Sequence, residues 1–487
     1  MISALQPFLL RKLFPNLSEK IEAGITGHRI CVSVGIRVTS LQIEFCRRVS
    51  WMGSAKDERL LAAARQLVGL LAERLDVDAS VRLWDGSRVP LGRDVHGPFT
   101  FTISGPGVIG SLVRRPTLDN VIRHYAEGRL GFEGGTLIDF GSQLNRNGRS
   151  TSLKSLSKLE LLKALLPFVF VPADKPADAH GFSGDITGRS QRRRDNKAYV
   201  QFHYDLSNEF YALFLDPEMV YSCAYFTDWQ NDLATAQRDK LEMICRKLRL
   251  KPGERLLDIG CGWGGLVCYA AQHYGVTAHG ITLSEQQLAY AREKVKRLGL
   301  EGRVTLELRD YTSVEGVYDK IASVGMYEHI GLANIPRYMA KVQSLLAPNG
   351  LFLNHAISRR APKPSWRGRR MRPEQRALAK YIFPGGELDD IGHTIVAMER
   401  AGFEVHDVEA WRLHYARTCQ LWCERLTAAR EEAVRLVGEE KYRIWVAYLA
   451  GVSLAFSRGG ARIFQTLASK TAKRPPPLPP TRADLYC

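Results

Sequence analysis

Residues 255–265 read RLLDIGCGWGG, and the rest of the chain is organised around them. Apolar residues lead into Asp258, and Gly260, Gly262, Gly264 and Gly265 follow at close spacing. Glycine has no Cβ, so this spacing permits a sharp turn and close approach of the backbone to a ligand. Residues 266–275 read as a short helix. The turn therefore sits at a helix N-terminus, a site for the polar end of a cofactor.

Two patterns overlap here. Gly260, Gly262 and Gly265 fit G-x-G-x-x-G, the dinucleotide fingerprint. Asp258 with Gly260, Gly262 and Gly264 fits D-x-G-x-G-x-G, the usual signature of S-adenosylmethionine (SAM) methyltransferases. A carboxylate beside the loop repels a pyrophosphate but suits a ligand carrying an ammonium and a sulfonium. The acid thus favours SAM over NAD or FAD, with a purely structural turn as the third reading.

A chain of 487 residues has room for two or three domains, and 45% hydrophobic content supports real cores. No run of about 18 apolar residues predicts a transmembrane helix. The first residues lack the basic start and small-residue cleavage site of a secretory signal. The nine cysteines form no C-x-x-C pairs, which argues against a zinc or disulfide framework and fits a reducing cytoplasm. No metal site is expected. The net charge of +17 points to a polyanion, either nucleic acid or an anionic membrane. No helix-turn-helix, zinc-finger or RNA-binding signature is present.

Residues 1–55 read as an extension of unknown role, with strand-like alternation over 30–45. Residues 56–180 read as a small α/β domain: a helix over 57–75, strands at 80–83, 89–91 and 99–103 around a turn at Asp85-Gly86, helical pieces at 109–112 and 121–130, and a turn at 131–134. A basic linker follows over 181–200, with Arg189, Arg192, Arg193 and Arg194. The catalytic domain spans 201–470. After the glycine turn, strands at 276–281, 304–308, 320–324 and 351–355 alternate with helices at 284–298 and 335–346, the rhythm of a doubly wound sheet. Ligands of such sheets sit beyond the carboxyl ends of the strands, and Thr282, Asp310, Glu328 and His355 fall at or just after those ends. Residues 359–376 form a cationic loop with Trp366 among eight Lys and Arg, the composition of an interfacial anchor. The end from about Tyr415 to Ala472 reads as helix-rich, and 471–487 as a proline-rich, disordered tail.

Several stretches together resemble the cyclopropane-fatty-acyl-phospholipid synthases, a family that includes the mycolic acid cyclopropane synthases. They are HYDLSNEFYALFLDPEMVYSCAYF (203–226), LLDIGCGWGG (256–265), GITLSEQQLAYAR (280–292), MYEHIG (326–331), YIFPGGEL (381–388) and HYARTCQLW (414–422). The resemblance spans about residues 200–465. It implies a class I SAM-methyltransferase domain, Rossmann-like and α/β. Residues 80–180 also resemble the small lipid-binding-like N-terminal domain of bacterial members.

The reaction implied adds a methylene across a cis double bond of a phospholipid acyl chain. An isolated alkene is a poor nucleophile, so the donor must be a strong electrophile, which the sulfonium supplies. Methyl transfer leaves a carbocation. It needs stabilisation without a competing nucleophile, and a base to take a proton so that the ring closes. Aromatic faces meet the first need, each worth about 0.5–2 kcal/mol; the candidates are Tyr204, Phe210, Tyr221, Tyr225, Phe226, Trp263 and Tyr415. For the second, the resemblance implies a bicarbonate ion held by Cys223, Glu328, His355, Tyr415 and the backbone of Ile357. For SAM it implies Gly260, Gly262 and Trp263 in the loop with Asp258, Tyr221 and Ser222 toward the methionine end, Thr282 and Gln287 at the ribose, and Asp310 and Tyr311 at the adenine. Ser284 and Gln287 also fit a helix capping box. Two departures stand out. No acid ends the second strand, where Thr282 takes the place of the usual ribose carboxylate, and Tyr311 stands where some members carry Trp.

The expected protein is a SAM-dependent cyclopropane synthase, cytoplasmic and peripheral to the inner membrane face. Its partners would be anionic phospholipid and unsaturated acyl chains, and a homodimer stays open. Rival readings are simple methylation giving a branched or methylene-bearing chain, a lipid-binding protein with a degenerate catalytic half, and a nucleic-acid methyltransferase. The aromatic 201–226 segment argues against the last, since base chemistry wants a polar motif beside a flipped base.

Overall fold

A computed structural model describes residues 40–146, 158–172, 181–182, 184–186, 199, 206–361, 371–473 and 478–486. Residues 1–39, the linker arginines, Tyr204 and the 362–370 part of the cationic loop lie outside them. The chain divides into two compact units, Met1–Asp178 and Ala179–Cys487.

In the first unit, α1 (Ser40–Leu75) precedes a four-stranded sheet of β1 (Ser80–Arg82), β2 (Arg88–Pro90), β3 (Thr100–Ile103) and β4 (Leu130–Glu133), in the order β2-β1-β3-β4. Helices α2 (Pro106–Arg114), α3 (Leu118–Ala126), α4 (Leu137–Arg146) and α5 (Lys158–Val169) complete it. Leu60, Ala64, Val68 and Leu75 of α1 are buried in the core of this unit. Phe99, Phe101, Phe132 and Phe140 interlock within it, with ring centroids 5.1–5.7 Å apart. Three expectations change. The strand-like alternation ends inside α1, which starts at Ser40 and crosses the expected boundary at residue 55. Residues 131–134 are mostly strand, because β4 pairs with β3. The helix expected over 121–130 stops at Ala126, with Gly128 in a left-handed turn at φ 73°.

In the second unit, α6 (Asn208–Ala212) and α7 (Leu233–Leu248) lead into β5 (Arg255–Ile259), α8 (Gly265–Tyr274), β6 (Thr277–Thr282), α9 (Glu285–Arg297), β7 (Val304–Leu308), β8 (Tyr318–Val324), α10 (Tyr327–Ile330), α11 (Ile335–Leu345) and β9 (Leu346–Arg359). Then come α12 (Pro373–Tyr381), α13 (Ile391–Arg400), β10 (Phe403–Ala410), α14 (Arg412–Ala428), α15 (Arg430–Val437), α16 (Glu439–Ser457) and β11 (Ala461–Lys470). The sheet runs β10-β11-β9-β8-β5-β6-β7. From β7 to β9 neighbours are parallel, and β11 and β10 add antiparallel at the β9 edge. The doubly wound α/β fold is therefore present. Strand order reverses between β5 and β8, which sets the crevice at their carboxyl ends.

The helix-rich end expected from about Tyr415 to Ala472 is present as α14, α15 and α16, and β11 is the departure within it. Residues 478–486 are not a disordered tail either. Leu485 is buried, Leu478 packs on the core, and Arg482 and Asp484 pair with Asp407 and Arg249. Among the described residues no helix is long and apolar enough to cross a membrane.

Candidate active site

The glycine turn leaves β5 at the switch point. Gly260, Gly262 and Gly264 have φ of 85°, 55° and 80°, the left-handed region that a side chain resists. The Gly260 and Cys261 amides donate to the Ile281 carbonyl at 3.0 and 2.9 Å, tying the loop to the end of β6. Gly264 caps α8. Trp263 Nε1 donates to Asn208 Oδ1 at 2.7 Å, which pins the loop to α6. Ser207 caps that helix by accepting from the Phe210 amide.

The turn floors an open cleft of about 1020 Å³. All ten residues assigned to the cofactor line it: Tyr221, Ser222, Asp258, Gly260, Gly262, Trp263, Thr282, Gln287, Asp310 and Tyr311. At the position assigned to the ribose, the Thr282 hydroxyl donates to Gln287 Oε1 at 2.8 Å and accepts from the Ser284 amide at 3.2 Å. Ser284 caps α9 by accepting from the Gln287 amide, but the Gln287 side chain turns to Thr282 and leaves the reciprocal half of the capping box unmade. Asp310 Oδ1 is committed to its own turn, accepting from Thr312 N at 2.9 Å. Tyr311 packs edge-on to Tyr338.

Asp258 is the most exacting group in the cleft. Its Oδ1 is buried and unpartnered among the described residues, and burial pushes the carboxyl up to about 7, with Lys240 pulling the other way. Such a group is ready for a cationic ligand. Lys240 is itself 1% exposed and brought down to about 8 by burial, against the carboxylates of Asp216 and Asp258. It donates to Ser222 Oγ at 3.0 Å.

The residues assigned to the base do not line the cleft; they gather beside it. Cys223 and Trp411 form one buried cluster, against which Ile357 and Tyr415 pack. Glu328 Oε1 accepts from the Ile357 amide, and burial raises the Tyr415 hydroxyl, with Glu328 near enough to add to the effect. His355 meets Trp411 edge-on, with centroids 5.1 Å apart. It pairs with Val324 across β8 and β9 but does not end its strand, because β9 continues to Arg359 under cover of β11. Among the described residues, Glu328 Oε2 and His355 Nε2 are both buried without a partner. Burial lifts Glu328 to about 7 despite the Ile357 hydrogen bond. Burial and the ammonium groups of Lys240 and Lys247 hold His355 well below the usual imidazole range. The Cys223 thiol is pushed up by burial and donates to the Ala224 carbonyl at 3.2 Å, so it is neither a thiolate nor a nucleophile. This buried, apolar and aromatic chamber thus holds two unsatisfied polar atoms, Glu328 Oε2 and His355 Nε2.

Of the aromatic candidates, Tyr221 and Trp263 reach the cleft, while Tyr415 and Tyr225 pack on the chamber. Phe210 is a core residue among Tyr211, Phe214 and Trp445, and Phe226 stacks outward on His414 and Trp229. The sequence reading missed Asp216, which accepts from the Glu218 and Val220 amides at 2.9 Å and holds Met219 at φ 56° on the cleft wall. It also missed Gln237, Lys240 and Lys247. Their signal was available: they fall on the stripe of Leu233, Ala236, Leu241, Ile244 and Leu248, where a helix normally places apolar residues.

The sequence model of the mycolic acid cyclopropane synthetase family matches residues 191–466. A "Probable fatty acid methyltransferase" of Pseudomonas putida is 38% identical over 419 residues, covering 85% of this chain and 98% of that protein. The cyclopropane-fatty-acyl-phospholipid synthase of Escherichia coli K12 is 39% identical over 271 residues, 55% of this chain and 66% of that one. Among solved structures, the cyclopropane synthase MmaA2 from Mycobacterium tuberculosis superposes with a TM-score of 0.53 at 32% identity, over 56% of this chain and 98% of its own. The mycolic acid cyclopropane synthase CmaA1, solved with SAH and CTAB, gives 0.53 at 31%, over 57% and 100%.

Proposed function

The chain belongs to the mycolic acid cyclopropane synthetase family of SAM-dependent methyltransferases, and from that premise we propose that it forms cyclopropane rings on cis-unsaturated acyl chains of phospholipids. One observation carries the reading: beside a cleft that suits a cationic cofactor lie a buried carboxyl and a buried neutral imidazole, each with one polar atom unmade. SAM bound in the cleft supplies the electrophilic methyl group. Asp258 would hold its positive charge, and Tyr221 and Trp263 would present ring faces to it. In the chamber, Glu328 and His355, with Tyr415 and the Ile357 backbone, would hold a bicarbonate ion, which supplies a proton acceptor beside the cation on the chain. A protonated Glu328 can donate to that ion, and so can His355. The apolar wall excludes water, which would otherwise trap the cation as an alcohol.

A second reading has its own support. The relative aligned over nearly its whole length is a probable fatty acid methyltransferase. On that reading the cation loses a different proton and leaves a branched or methylene-bearing chain. Purified protein incubated with SAM and vesicles of cis-unsaturated phospholipid separates the two. A gain of one CH2 with upfield ring protons in NMR supports cyclopropanation. The same gain without them supports branching, and no gain with SAM still bound would refute both.

We further propose that the enzyme works as a peripheral protein on anionic membrane, through the arginines of residues 359–376. Replacing Arg367, Arg369, Arg370 and Arg372 should weaken binding to anionic vesicles at low salt. Salt-independent binding would remove the electrostatic role.

A further inference from the structure

Three antiparallel neighbours line up on one face of the sheet. In the pairing register His355 of β9 lies opposite Gln465 of β11, and Gln465 lies opposite Glu409 of β10. Directly opposed residues point to the same face. Lys247 descends on them from α7, at 0% exposure. Its Nζ donates to Gln465 Oε1 at 2.8 Å, pairs with Glu409, lies 3.5 Å from Asp407 Oδ2, and sits 5.3 Å over the Trp411 ring. Gln465 Nε2 in turn lies 3.1 Å from His355 Nδ1.

We propose that Lys247 and Gln465 are positioning residues that hold the single proton of His355 on Nε2, making that nitrogen the hydrogen-bond donor of the chamber. Donor and acceptor chemistry fixes which way the amide faces. A lysine ammonium has donors and no acceptor, so the atom Gln465 turns toward it must be the carbonyl oxygen. The other end of the amide is then NH2, which only donates. His355 Nδ1 must receive that bond through its lone pair. The ring is buried and feels the ammonium groups of Lys240 and Lys247, so it carries one proton, and the remaining place for it is Nε2. Nε2 is the buried ring nitrogen that no group among the described residues satisfies. A lysine on the apolar stripe of α7 therefore has a purpose that a leucine could not serve. It fixes which way an amide faces, and the amide fixes a tautomer.

The use of that donor, toward an anion or a substrate-held oxygen, rests on the function proposed above; the tautomer does not. The test uses full-length protein labelled with 15N-histidine, the His355 signals being assigned by their loss in His355→Asn. The wild type should show Nδ1 as an unprotonated ring nitrogen and Nε2 as a protonated one. Gln465→Glu keeps the shape and still accepts from Lys247, but its second oxygen can only accept. The proton should then appear on Nδ1, and kcat should fall by about 10²-fold or more, as for a catalytic histidine forced into the wrong tautomer, with the SAM dissociation constant within a few-fold. Gln465→Leu should give a mixed population. A bare Nε2 in the wild type, or a Gln465→Glu protein that keeps the wild-type pattern, overturns the proposal. An inverted tautomer with unchanged kcat upholds the relay and removes His355 from the reaction.

Discussion

Replacing Glu328 by glutamine should stabilise the protein while it stops the enzyme. Glu328 is 7% exposed, and burial lifts its carboxyl from 4.5 to about 7. The folded state therefore grips the proton more tightly than the unfolded state does. Stability falls as pH rises from about 4.5 through about 7, and the deficit is complete above that. A displacement of about 2.5 pH units corresponds to about 3 kcal/mol. Glutamine is neutral at every pH and can still accept from the Ile357 amide. Glu328→Gln should be about 3 kcal/mol more stable than wild type at about pH 8, and about 1 kcal/mol more stable at about pH 5. Urea unfolding followed by tryptophan fluorescence at both pH values reads the difference. Turnover should fall at least about 10²-fold, with SAM affinity little changed. An equal offset at the two pH values, or a variant less stable at about pH 8, would refute the account of Glu328 as a carboxyl held at the expense of stability.

The Asp258 carboxyl should make SAM affinity fall by up to about tenfold per pH unit below about pH 7, where the cation must bind a protonated group. Lys240→Met removes the neighbour that holds Asp258 down, so titration calorimetry should show this dependence moved to higher pH; a flat profile in both proteins would dissociate Asp258 from the cofactor. Gly260→Ala would set a Cβ 3.0 Å from Met326 Cγ at φ 85°, and should lower stability by about 1–2 kcal/mol and weaken SAM binding. Gly262→Ala meets nothing within 4 Å and should be the milder of the two. Leu485→Ala should lower stability by about 2 kcal/mol or more if the chain end is packed as described, and an unchanged urea midpoint would return it to a loose tail.

The cofactor cleft was legible because its parts are local. Asp258 and Thr282 lie near the ends of β5 and β6, Gly260, Gly262 and Trp263 follow β5, Asp310 and Tyr311 follow β7, and Gln287 opens α9, so parallel strand ends gather all but Tyr221 and Ser222, which come from the segment before α7. The chamber residues were reached through the family resemblance, and their surroundings were not legible. His355 was expected at a strand end, yet the register of β11 carries β9 four residues further. The sequence of β11, ARIFQTLASK, is buried on both faces, so it shows no clean alternation and follows a long helical pattern without a break strong enough to mark it. Lys240, Lys247 and Gln465 are polar residues whose partners come from distant segments. Periodicity reports burial, and it says nothing of which charges meet inside.

The order in which the chain lays down these parts bears on its synthesis. The glycine turn and the residues around it span 219–329, so a nascent chain holds the whole cofactor cleft early. β9 then waits for β11, with His355 separated from Gln465 by 110 residues. At roughly 5–20 residues per second on the ribosome that interval lasts roughly 5–20 s. Throughout it a long strand carrying Leu351, Phe352, Leu353 and Ile357 stands with one edge unpaired, the condition under which chains adhere to one another. Yield of active protein should therefore depend on how fast the last hundred residues follow, and slowing translation after β9 should send more of the chain into aggregates than slowing it before β5.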